Sequence, residues 1–132
     1  MAGFLLVFLG AGLGGSLRHG ANLAALRLLG AGFPYGTLFV NVAGSLAMGL
    51  LAGWFALKAG GAPSQAWRLF LATGVLGGFT TYSAFAVETV QLAEAGRAGI
   101  VAGYVLASVA GGVLAAALGQ QAGRAPARER AS

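Results

Sequence analysis

Residues 69–87 read LFLATGVLGGFTTYSAFAV, a run of 19 positions with no charged side chain. A bilayer core takes about 20 apolar residues of helix, so the run is long enough to cross a membrane. Its centre is Gly77–Gly78, and Thr80, Thr81 and Ser83 follow. A mid-helix glycine costs about 1 kcal/mol relative to alanine. Threonine is stiff at its β-carbon, and its hydroxyl competes for backbone bonds. The stretch therefore predicts a third transmembrane helix that is broken near the bilayer midplane, at Gly77–Gly78. Carbonyls freed at that depth cannot face lipid; they must meet another chain, a water or a cation. The plainer alternative is a kink packed on a small neighbour.

Three further uncharged runs, Met1–Leu17, Leu28–Leu57 and Ala98–Gly123, hold 17, 30 and 26 residues. The chain of 132 residues is 58% hydrophobic and 8% charged, and its mean hydropathy is +0.80. These values place it among membrane proteins. The runs do not alternate polar and apolar residues, which argues against a β-barrel. The expected fold is an all-α membrane protein with four transmembrane helices, at about Gly3–Leu29, Pro34–Leu57, Trp67–Ala93 and Gly99–Gly119. Residues 1–123 read as one four-helix domain, and 124–132 as a polar basic tail. The first run has no basic flank before it and reads as a retained span rather than a signal peptide. The segment KAGGAPSQ, 58–65, reads as a polar loop. Net charge is +5, but three of the eight basic residues lie in the last nine positions. That points to a solvated end beside anionic headgroups, not to nucleic acid. With no cysteine, a disulfide or thiolate metal site is excluded.

Four spans put both termini and the middle loop on one side, with Lys58, Arg68, Arg124, Arg128 and Arg130. The other side has Arg27 and Arg97, with Arg18 if it reaches water. Five against three is too small a bias to fix an orientation; the sharper reading is a chain that inserts both ways. Gly10 and Gly14 are four apart, as are Gly49 and Gly53, a spacing that lets helices approach closely in lipid. Among 24 glycines, such pairs also arise by chance.

Polar residues within the runs are the candidates for function. Thr37, Asn41 and Ser45 share one face of the second helix, and Tyr104, Ser108 and Gly112 one face of the fourth. Each stripe is either a pore lining or glue between helices. Tyr82 and Phe85 are three apart and share a face. Aromatic ring edges carry partial positive charge, so such edges can stabilise an anion without trapping it. Arg18 and Glu88 are ionisable groups at membrane or vestibule depth, where function is the default hypothesis. Glu94 and Arg97 read as interfacial ends, and His19 as a polar helix-end residue. The sequence has no Asp and no defensible nucleophile–base pair, so nothing in it supports an enzyme.

Three segments, GAGLGGSLRHG (10–20), PYGTLFVNVAGSLAMG (34–49) and GVLGGFTTYSAFAVE (74–88), resemble in order the signature segments of the Fluc family of fluoride channels, also called CrcB proteins. The resemblance covers the whole chain. It implies a multi-pass protein of the prokaryotic plasma membrane that exports fluoride passively. It also implies an antiparallel, dual-topology homodimer with two pores. A structural sodium ion would sit on the two-fold axis, held by backbone carbonyls of Gly77 and Thr80. Carried over by position, the fluoride pathway takes in Asn41, Tyr82, Phe85, Tyr104 and Ser108. Arg18 falls at the pore mouth, Glu88 after the aromatic pair, and Thr37 in the vestibule. The chain departs from the family where Tyr82 replaces the usual Phe, where His19 replaces an aromatic, and where Gly112 replaces a hydroxyl of some members.

The physics suits that role. Fluoride is strongly hydrated, and amide, hydroxyl and ring-edge donors can replace its shell at several sites of moderate strength. A monovalent anion leaving a negative interior gains about 2.3 kcal/mol per 100 mV, so export needs no fuel. Two rivals remain. A small multidrug transporter would carry a membrane-embedded acid in its first helix, whereas Glu88 is the first acid in this chain. A structural subunit of a larger complex would use the polar stripes as glue.

Overall fold

A computed structural model describes residues 1–57 and 65–128. Most of the polar loop, 58–64, and the end of the basic tail, 129–132, lie outside the described residues. The described residues are helical, without strands. Helix α1 is Ala2–Leu29 and α2 is Tyr35–Leu57. Helix α3, residues 65–79, is a composite. It begins with a turn at Gln65–Trp67, continues as a wider π-helical stretch Arg68–Leu76, and closes with an α-turn Gly77–Phe79. Helices α4, Tyr82–Glu94, and α5, Ala98–Arg128, complete the chain. Among the described residues, four segments are long and apolar enough to cross a membrane: Ala2–Leu29, Tyr35–Leu57, Gln65–Glu94 and Ala98–Ala125. At 1.5 Å per residue, even the shortest, α2, is about 35 Å long, which exceeds a bilayer core of about 30 Å. Helix α5 continues nine residues past its expected end at Gly119, into the segment read as a tail.

The surface is inverted relative to a water-soluble protein. Phe4, Phe8, Leu106 and Val113 are among many large apolar side chains that point outward. The interior holds Thr37, Thr81 and Tyr104 beside Val40, Phe55 and a set of glycines. In lipid no hydrophobic drive presses helices together, so close packing and internal hydrogen bonds must do it.

Glycines make that packing in two crossings. α1 packs chiefly on α3, and α2 on α5. A Cβ on Gly10 would stand 2.6 Å from the Phe70 carbonyl oxygen, and one on Gly14 would strike the Val75 carbonyl. In the second crossing, a Cβ on Gly49 or Gly53 would strike the carbonyls of Ala116 or Gln120. From the other side, Gly119 and Gly123 stand in the same way against Leu46 and Leu50. The spaced glycine pairs are contact surfaces, not accidents of composition.

The expected position of the helix interruption needs correction. Gly77 is helical, with φ −62° and ψ −38°, and Gly78 is in the same turn. Gly78 is small for a different reason: a Cβ there would lie 2.5 Å from the Ala11 carbonyl oxygen. The residues that leave helical geometry are Thr80 (ψ 159°) and Thr81 (φ −153°, ψ 113°). Farther on, Gly96 ends α4 with φ 72°, a left-handed conformation that glycine adopts freely. Beside it, Arg97 Nη1 donates to the Gly32 carbonyl at 2.8 Å and ties the α1–α2 loop to this corner.

Candidate functional site

The Thr80–Thr81 corner organises the site. The Thr80 N–H still bonds to the Leu76 carbonyl at 3.1 Å. The helical ladder then loses its next rung, because the Thr81 N–H goes to Asn41 Oδ1 at 2.7 Å. Asn41 Nδ2 donates in return to the Thr81 carbonyl at 2.9 Å. One side-chain amide thus satisfies both backbone groups of one residue, as a neighbouring strand would. Thr81 then caps α4, its Oγ1 accepting from the Ala84 N–H at 3.2 Å, which is the usual N-cap geometry. The hydroxyl that competes with helix on one side starts it on the other.

Beside this corner lies a cleft of about 380 Å³ bounded by α2, α4 and α5. Asn41, Thr80, Tyr82, Phe85 and Ser108 line it together with Ser45, and none of its lining residues is charged. Asn41 keeps a second N–H, since its amide carries two and one is spent on Thr81. Ser108 Oγ is buried and has no hydrogen-bond partner. The Tyr82 and Phe85 rings lie 5.8 Å apart and tilted by 51°. Tyr82 is 80% exposed in the single chain, although it belongs to the cleft.

A second polar cluster sits one helical turn from Ser108. Thr37 Oγ1 donates to Glu88 Oε1 at 2.7 Å, and Tyr104 OH donates to Glu88 Oε2 at 2.6 Å. Thr37 is 2% exposed and Tyr104 0%. This cluster ties α2, α4 and α5 together. Thr37 and Glu88 also line a pocket of about 390 Å³ toward the α1–α2 loop. The Phe85 and Tyr104 rings meet at 5.2 Å and stand between the pocket and the cleft.

The residues singled out in the sequence thus fall into two groups. Asn41, Thr80, Tyr82, Phe85 and Ser108 meet at the cleft. Thr37, Glu88 and Tyr104 meet behind it, so Tyr104 does not line the cleft with Ser108 despite their shared helical face. Arg18 lies well inside α1, and its Nη1 donates to the Thr80 carbonyl at 3.2 Å. Gly77 lies one turn before the corner, outside the cleft lining. Its carbonyl is the one that the diverted Thr81 N–H would have met in a continuous helix. Two residues escaped the sequence reading. Thr81 is legible in retrospect as a hydroxyl residue placed to cap the helix that follows. Asn22, on α1, lines the loop-side pocket with its Oδ1 buried and unpaired. An amide between Arg18 and Arg27, on a helix otherwise rich in Ala and Leu, was its only signal.

The chain is similar to known proteins over most of its length. The family model described as CrcB-like protein, Camphor Resistance (CrcB), matches residues 5–120. A protein of Methylobacterium nodulans named fluoride-specific ion channel FluC is 63% identical over 113 residues, covering 86% of this chain and 89% of its own. One of the same name from Hyphomonas neptunium is 63% identical over 106 residues, covering 78% and 83%. Another, from Rhodopseudomonas palustris, is 57% identical over 107 residues, covering 81% and 85%.

Proposed function

The chain belongs to the CrcB-like family, and from that membership we propose that it is a passive, fluoride-selective channel exporting fluoride across a prokaryotic plasma membrane. The observation that carries the reading is the cleft. It is free of charged side chains and holds neutral hydrogen-bond donors with capacity to spare: the second Asn41 N–H and the unpartnered Ser108 hydroxyl. Ring edges of Tyr82 and Phe85 add weak positive potential. Such a set can replace water around a small anion without the tight hold of a fixed cation. The path leads from the cleft past the Phe85–Tyr104 ring contact to the loop-side pocket, where Thr37 and Glu88 line the mouth.

The channel acts as an antiparallel homodimer with dual topology and two pores. Two features support this. The basic residues divide too evenly to fix one orientation, and Tyr82 leaves its ring uncovered although it belongs to the cleft. A second copy would cover that ring and close the cleft.

A structural sodium on the dimer axis belongs to the same proposal, with the carbonyls of Gly77 and Thr80 as its ligands. The chain fits such an ion on two counts. The Gly77 carbonyl loses its helical donor to Asn41. The Thr80 carbonyl sits on an extended residue, outside the helical ladder. Unwound carbonyls of this kind suit sodium. When bound, the ion would supply positive charge shared between two protomers.

The test is fluoride efflux. Liposomes loaded with potassium fluoride and treated with valinomycin should release fluoride when they contain the purified dimer. No release from correctly inserted dimer would sink the proposal, and proton-coupled uptake of an organic cation would favour the transporter instead.

A further inference from the structure

Arg18 lies within the first membrane-crossing helix, where a charged side chain is costly and needs a partner. The partner it reaches is a neutral one, the Thr80 carbonyl. The acid Glu88 takes its hydrogen bonds from Thr37 and Tyr104 instead. A carbonyl shares a cation's charge without cancelling it, so Arg18 brings a full positive charge to the corner between α3 and α4. That corner is where the sodium reading places one of its ligands. A guanidinium on the Thr80 oxygen and a metal ion on the same oxygen are like charges within a few ångströms.

We propose that Arg18 and the metal cation compete for the Thr80 carbonyl. In the single protomer the guanidinium satisfies that oxygen. When two copies bring their carbonyls together around a cation, the guanidinium shares or yields its place, and its charge sets how tightly the cation is held. Arg18 is then a tuning residue of the dimer's cation site. The inference rests on the sodium reading above. It goes beyond that reading by naming the side chain that opposes the ion.

The magnitude follows from the charge. A like charge within about 4–6 Å changes the balance of a charged state by about one to three powers of ten. The experiment compares wild type, Arg18→Gln, Arg18→Met and Arg18→Lys in detergent. Thermal stability is followed as sodium chloride replaces N-methylglucamine chloride at fixed ionic strength, since a ligand that binds only the native state raises stability with its concentration. In Arg18→Gln and Arg18→Met, half-maximal stabilisation should need about tenfold less sodium than wild type. Arg18→Lys, which keeps the charge, should stay near wild type. An unchanged or higher sodium requirement in both neutral variants would overturn the proposal. The wild type gives an independent reading if those variants do not assemble. Its Arg18 guanidinium ¹⁵N resonance, assigned by its loss in Arg18→Lys, should shift as sodium is added, and an unmoved signal would also overturn the proposal. A wild type whose stability ignores sodium, while fluoride efflux persists, would remove the sodium reading and this inference together but leave the channel standing.

Discussion

At Glu88 a carboxylate takes two hydroxyl donors, Thr37 at 2.7 Å and Tyr104 at 2.6 Å, and both donors are buried. One turn away on α5, the Oγ of half-buried Ser108 is also out of reach of solvent, yet it has no partner, and the neighbouring Asn41 spends only one of its two N–H groups on the protein. The residue types are alike in the two places: hydroxyls, a polar acceptor and an aromatic ring. Their hydrogen-bond balances are opposite. The donors of the Glu88 cluster are spent on its carboxyl oxygens, so it fastens α2, α4 and α5. The cleft is neutral and has donors left over, so it can accept a ligand that brings its own lone pairs. Burial by itself does not separate glue from a binding site in a membrane protein; unspent donors do.

The largest expected effect comes from making the cleft resemble the cluster. Asn41→Asp places a negative charge on the proposed path and removes the donor to the Thr81 carbonyl. Two like charges at 4 Å cost about 4 kcal/mol at an effective dielectric constant of 20, so fluoride efflux should fall at least about a hundredfold. Efflux within threefold of wild type, from protein that elutes as a dimer, would remove Asn41 from the path. The converse change empties the cluster. Glu88→Ala orphans the hydroxyls of Thr37 and Tyr104, at roughly 1–3 kcal/mol for each buried group left unsatisfied. Unfolding in mixed detergent micelles should show that loss, and unchanged stability would mean the cluster does not fasten the helices. Phe85 borders both regions, with its ring against Tyr82 and Tyr104. Phe85→Ile should lower efflux by about tenfold, the equivalent of about 1.4 kcal/mol, while the dimer persists. Loss of neither efflux nor stability would make the aromatic pair simple packing.

Much of this was legible in the chain itself. Four uncharged runs of adequate length specify four helices, because a bilayer penalises charge and fixes helix length. The face shared by Thr37, Asn41 and Ser45 follows from helical spacing: Thr37 bonds to Glu88, Asn41 bonds to Thr81, and Ser45 lines the cleft. The exact place where the third span leaves helical geometry was not legible. Gly77–Gly78 has the poorer helix propensity, but propensity is a local term. The deciding contact is between Asn41 and Thr81, forty positions apart, and no local pattern reports it. The same holds for Arg18, whose partner is a backbone carbonyl and so has no side-chain signature. Tyr104 and Ser108 share a helical face but not a cavity, because the Glu88 carboxylate draws the phenol away. Spacing says which residues can face the same way, and long-range hydrogen bonding decides what each of them meets.

Ser108→Ala gives the most direct test of the claim that the neutral cleft conducts. The substitution removes a hydroxyl that has no partner in the protein, so it breaks no internal bond. Fluoride efflux and thermal stability should be measured on the same preparation. The account predicts efflux lower by about three- to tenfold, the equivalent of one hydrogen bond of about 1 kcal/mol, with stability unchanged or raised. Unchanged efflux would contradict it, for the unspent hydroxyl would then serve nothing that passes through the cleft.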